Sequence, residues 1–121
     1  MNELSPLISV VDDDESVRES LPDLLKEFGY RAEAFSSSED FLASGHATTT
    51  NCLILDVAMP GMSGPDLQLE LLRHNQSVPV IFITALRDES VRRRLLSGGA
   101  VDCLYKPFSD EELQRALDKA L

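Results

Sequence analysis

Four apolar runs in this sequence end on, or just before, polar side chains that can do chemistry. Leu7-Ile8-Ser9-Val10-Val11 runs into Asp12 and Asp13, Leu53-Ile54-Leu55 stops at Asp56, the run from Val78 closes on Thr84, and Ala100 to Leu104 is soon followed by Lys106. Asp56 is the least ordinary of these. A carboxylate after three buried apolar residues, with no cation beside it in sequence, is costly without a metal or a distant cation nearby. If the runs are strands of one sheet, three carboxylates, a hydroxyl and an ammonium meet at one edge. Two carboxylates ~4 Å apart repel by about 4 kcal/mol at an effective dielectric of 20. A hard divalent cation relieves that repulsion. Mg2+, with Mn2+ as its substitute, takes oxygen ligands, keeps several waters and accepts a phosphate oxygen. Thr84 and Lys106 then suit phosphate oxygens, one as a hydrogen-bond donor and one as a point charge. Asp56 becomes a carboxylate nucleophile for a phosphoryl group. Taken singly, each residue has a plain role as helix cap, strand end or surface lysine. The joint arrangement carries the reading.

The elements that must position them alternate strand and helix five times. Strands are expected over Leu7–Val11, Tyr30–Phe35, Cys52–Asp56, Val78–Thr84 and Ala100–Leu104, from β-branched and unalternating apolar runs. Val17, Leu21, Leu24, Leu25 and Phe28 share one face of a first helix, which Gly29 ends and Pro22 should kink or loosen. Ser36-Ser37-Ser38 caps a second helix, and Gly45 to Asn51 reads as loop. Ser63 or Gly64 opens a third whose apolar Leu67, Leu71 and Leu72 share a face. Asp88–Ser97 is a fourth, ended by Gly98-Gly99. Ser109 and Glu112 form a capping-box pattern for the last. Short strands separated by helices imply parallel pairing and right-handed crossovers. The expected fold is α/β, a doubly wound five-stranded parallel sheet in the order 2-1-3-4-5. Its ligand site lies at the carboxyl edge, between strands 1 and 3.

The 121 residues read as one domain, 1–121, with 43% apolar residues and a formal net charge of −10. That charge argues against nucleic acid as a partner of this domain and favours a cation or a basic patch. No apolar run approaches the roughly 20 residues of a spanning helix, so no membrane contact is expected. The opening Met-Asn-Glu-Leu-Ser-Pro lacks the pattern of a leader. Cys52 and Cys103 read as buried free thiols of a reducing cytoplasm.

The chain resembles a bacterial response-regulator receiver domain of the CheY-like superfamily, and is most similar to FixJ-type receivers. The resemblance spans essentially the whole chain. It rests on Val10-Val11-Asp12-Asp13-Asp14-Glu15, on Leu55-Asp56-Val57-Ala58-Met59-Pro60-Gly61-Met62-Ser63-Gly64, on Ile83-Thr84-Ala85, and on Gly99-Ala100-Val101-Asp102 with Tyr105-Lys106-Pro107-Phe108. It implies two-component signalling by a phospho-acceptor switch rather than an enzyme. Asp56 would accept the phosphoryl group. Asp13 would bind Mg2+ directly, Asp12 through water, and Ala58 through its backbone carbonyl. Thr84 and Lys106 would contact the phosphoryl group. The donor would be a phosphohistidine of a sensor histidine kinase or a phosphotransfer protein, not His46 or His74 of this chain, which read as exposed. The resemblance also implies a possible homodimer on phosphorylation and a DNA-binding effector downstream in a FixJ-type parent.

Two departures stand out. Such receivers usually carry Tyr or Phe three residues before the lysine, where this chain has Cys103. Tyr105, next to the lysine, is expected on the opposite face by strand alternation. A weaker or differently transmitted switch follows for the face of the fourth helix, fifth strand and fifth helix. Ala58 stands where FixJ-type receivers often carry Arg, and it joins Leu86 as a tuner of aspartyl-phosphate lifetime. Arg92-Arg93-Arg94 is the one basic cluster. It is a solvated helix face by default, with Arg93 and Arg94 as the docking alternative. Competing functions are weaker. An aspartate-nucleophile phosphohydrolase needs an acid where Ala58 stands. A flavin module needs a hydroxyl- and glycine-rich loop where Asp12 to Glu15 stand. A phosphorylation-independent interaction module leaves the acidic, hydroxyl and lysine set without a role.

Overall fold

Leu7–Val11 (β1), Cys52–Asp56 (β3) and Val80–Thr84 (β4) are buried at every position, because none of them has a polar face to give to water. Arg31–Phe35 (β2) and Asp102–Tyr105 (β5) flank them. A computed structural model describes residues 5–121; Met1 to Leu4, part of the stretch read above for a leader, lie outside it. All four strand pairs are parallel and the order is β2-β1-β3-β4-β5, as expected. The helices are Glu15–Glu27 (α1), Ser38–Ser44 (α2), Gly64–Arg73 (α3), Glu89–Ser97 (α4) and Asp110–Ala120 (α5). A short 3-10 turn, His46–Thr48, lies within the expected loop.

Strand alternation splits the core in two. Ile8, Val10, Ile54, Ile81, Ile83 and Leu104 pack with α1 and α5 through Leu21, Leu25, Leu113 and Leu117. Val11, Leu53, Leu55, Phe82 and Cys103 pack with α2, α3 and α4 through Phe41, Leu67, Leu71 and Leu95. Each of the five α-helices begins on a side-chain cap: Asp14, Ser37, Ser63, Asp88 and Ser109. Ser109 and Glu112 form the full capping box. These starts follow the carboxyl ends of the strands, so the polar loops gather at that edge.

Some boundaries differ from the sequence reading. α1 runs through Pro22 undivided, with Leu21 and Leu25 locked in the core on either side of it. β2 begins at Arg31 because the Tyr30 amide turns back to Leu25 O at 3.1 Å and closes α1. β5 begins at Asp102 for the same reason. Gly99 takes φ +106, and the Ala100 amide returns to Leu95 O at 3.2 Å. Leu72 is 50% exposed; Leu67 and Leu71, one helical turn apart, fill the inward face without it.

Candidate functional site

β1 and β3 are neighbours, so their carboxyl ends bring Asp12, Asp13 and Asp56 together. One carboxylate oxygen from each lies within 4.8 Å of the others. Asp12 is fully buried and tied down on several sides. Its Oδ1 accepts from Asp14 N at 2.9 Å, and its carbonyl accepts from Arg18 Nη1 at 3.0 Å. Asp13 is exposed at the mouth and Asp56 is 6% exposed. Lys106 reaches in from the end of β5, its amide donating to Thr84 O at 2.8 Å. Its Nζ lies 2.7 Å from Asp12 Oδ2 and 3.6 Å from Asp56 Oδ1.

The electrostatics follow from this crowding. Burial pushes the Asp56 carboxyl up to about 7, helped by the neighbouring Asp12 charge; Lys106 opposes the shift without cancelling it. Burial pulls Lys106 down, but the Asp12 and Asp56 carboxylates outweigh it and hold the ammonium above its usual range. One ammonium faces three carboxylates, and Asp12 Oδ2, although 2.7 Å from Lys106, has no aligned hydrogen bond. Converging carboxylate oxygens with excess negative charge fit a small, oxygen-seeking divalent cation.

The other expected residues divide between this edge of the sheet and the α4 side of β5. Thr84 ends β4 and is buried, its Oγ1 accepting from Leu86 N at 3.1 Å. Ala58 and Leu86 are exposed beside the pocket. Tyr105 requires a correction. Two residues after Cys103, it returns to the same side of β5, not the opposite one. Its hydroxyl donates to Glu89 Oε1 of α4 at 2.8 Å, and Arg87 Cζ lies 5.1 Å from its ring centre. Cys103 is buried in the core cluster that also holds Leu95 of α4. Both side chains therefore face α4, and this face has an aromatic after all. Arg93 and Arg94 are exposed, whereas Arg92 donates to Cys103 O at 3.0 Å and to Asp102 Oδ1 at 3.1 Å. His74 is exposed, but His46 is half-buried with its ring 5.6 Å from Phe35.

The sequence reading missed Asp102. It is buried, and it also accepts from Lys119 Nζ of α5 at 3.2 Å. An acid inside the run Val101-Asp102-Cys103-Leu104 is the signal that marks it.

The family model for the response regulator receiver domain matches residues 8–118. This chain belongs to that family. Nodulation protein W of Bradyrhizobium diazoefficiens is 46% identical over 111 residues, 92% of this chain and 49% of that protein. The solved structure of response regulator StyR superposes with a TM-score of 0.88 at 40% identity, over 97% of this chain and 59% of that one. FixJ-N superposes at 0.84 with 34% identity, over 99% of this chain and 94% of that one. The receiver spans about half the length of the curated relatives it matches. Among its described residues, no helix is long and apolar enough to cross a membrane.

Proposed function

We propose that this receiver, a module of two-component signalling, takes a phosphoryl group onto Asp56 in a Mg2+-dependent reaction. The observation that carries the reading is the placement of the Asp56 carboxylate, buried beside Asp12 and Asp13 and 3.6 Å from Lys106 Nζ. Asp12, Asp13, Asp56 and the Ala58 carbonyl would hold Mg2+ or Mn2+. The cation would neutralise charge on the carboxylates and the phosphoryl oxygens. Asp56 is the nucleophile, one carboxylate oxygen forming the bond to phosphorus. The phosphorus–nitrogen bond of the donor phosphohistidine breaks, and its electron pair stays on the imidazole. Lys106 moves from its carboxylate partners toward the new phosphoryl oxygens, and the Thr84 hydroxyl supplies a further donor. The domain is a switch that transfers the group to itself, not an enzyme acting on a free substrate.

The donor is a sensor histidine kinase or a phosphotransfer protein. An apolar groove lined by Val17, Leu21, Leu24, Pro107 and Phe108 opens beside Lys106 and suits a partner helix there. Output is read on the face of α4, β5 and α5. Thr84 touches Leu86 N, and Tyr105, its cross-strand neighbour, touches Glu89. Homodimerisation through that face, a cytoplasmic setting and a DNA-binding effector in a longer parent complete the reading.

Intact mass after incubation with acetyl phosphate tests it, with and without Mg2+, beside Asp56→Asn. The expected result is a gain of one phosphoryl group that needs Mg2+ and is absent in the variant. No adduct, together with no beryllofluoride binding, would leave a phosphorylation-independent interaction module.

A further inference from the structure

Both backbone polar groups of Met62 are held by the first turn of α2. Met62 N donates to Glu39 Oε2 at 3.0 Å, and Ser38 Oγ donates to Met62 O at 3.0 Å. Ser38 is fully buried. Gly61, one residue earlier, has φ +74, and a Cβ there would lie 2.7 Å from Glu39 Oε2. The missing side chain at 61 is the space the carboxylate occupies.

Met62 lies in residues 57–63, the loop that joins Asp56 to α3. The other end of this loop is also fixed. Val57 N donates to Ile83 O at 3.1 Å, and Gly64 N donates to Val57 O at 3.0 Å. Between the two attachments Ala58, Pro60 and Gly61 are exposed, and Met59 is buried in the core beneath α2 and α3. Ala58 has no side chain long enough to anchor its own peptide. Its carbonyl, in the peptide shared with Met59, is therefore held by the attachment at Val57 on one side and, on the other, by the buried Met59 side chain together with the α2 clasp at Met62.

We propose that Ser38 and Glu39 are positioning residues for the cation site, acting through Met62 on the peptide of Ala58. The inference rests on the reading of the acidic pocket as a Mg2+-dependent acceptor. Glu39 contributes both an acceptor oxygen and a negative charge, and these can be separated. Glutamine keeps the oxygen and loses the charge; alanine loses both.

Binding of Mn2+ to the metal-free chain, followed through the electron paramagnetic resonance signal of free Mn2+, tests this without any phosphoryl chemistry. Glu39→Ala and Ser38→Ala should each weaken Mn2+ binding severalfold, short of the roughly tenfold that follows loss of a partner bonded directly to a metal ligand. Glu39→Gln should stay close to wild type. Glu39 is exposed, so its variants keep the fold by circular dichroism and decide the matter even if Ser38→Ala does not fold. Unchanged affinity in Glu39→Ala overturns the proposal. So does an equal loss in Glu39→Gln, which would assign the effect to charge rather than to the clasp. If wild type binds no Mn2+, the metal reading itself fails and the clasp falls with it, so the wild-type arm tells the two failures apart.

Discussion

Cys52 shows how far a single buried residue ties stability to pH. It opens β3 with no exposure, and burial pushes its thiol up to about 12 from 9.0. The folded value lies above the unfolded one, so the contribution of the thiol is complete below pH 9.0 and is lost as the pH rises toward about 12. The slope is at most about 1.4 kcal/mol per pH unit. Urea midpoints of wild type and Cys52→Ala at pH 7.5, 9 and 10 should show the advantage of wild type shrinking as pH rises. A gap that stays constant would contradict this. At this scale the meeting of the acidic residues with the lysine was legible in the sequence. Asp12, Asp13, Asp56 and Lys106 each follow an apolar run that ends abruptly, and only a shared edge makes sense of them together. Asp102 was not legible in the same way, because its partners Arg92 and Lys119 come from two different helices. The side taken by Tyr105 needed only the two-residue period of a strand counted from Cys103.

At the scale of elements, the join between β3 and α3 leaves no room for a side chain at its glycine. α3 starts at Gly64, and a Cβ there would strike the Asp56 carbonyl oxygen and crowd Phe82 Cε1 at 3.1 Å. Gly64→Ala must push α3 off the end of the strand that carries Asp56. The expected cost is about 1–3 kcal/mol in denaturant unfolding, typical of overpacking. Acetyl phosphate labelling of Asp56 should slow at the same time. Full stability in this variant would show that α3 can shift without strain. Helix starts were readable in the sequence because Asp and Ser side chains cap them. Strand starts were less so. Tyr30 and Ala100 are apolar residues that look like strand, yet their amides serve the helix ends before them, a use decided by Gly29 and Gly99 at positive φ.

At the scale of the whole molecule, acidity and fold act together. The formal net charge is −10, and three carboxylates of that excess converge on one edge. Mg2+ should therefore stabilise the folded chain by about 2.7 kcal/mol at a concentration 100-fold above its dissociation constant. Thermal melts in Mg2+ against chelator would read it, with NaCl at equal ionic strength reproducing only the screening of surface repulsion. Asp56→Asn should lose most of the Mg2+ gain, and a full gain in that variant would place the cation elsewhere. The topology that gathers these charges was legible because five alternating units have few ways to wind; the side-chain ties across the helices were not. One of those ties has a mechanical meaning. Arg92 of α4 and Lys119 of α5 share a single buried carboxylate, Asp102, one on each oxygen. One anion of β5 thus serves as a common tether for both helices, and neutralising Asp102 would release the two cations together.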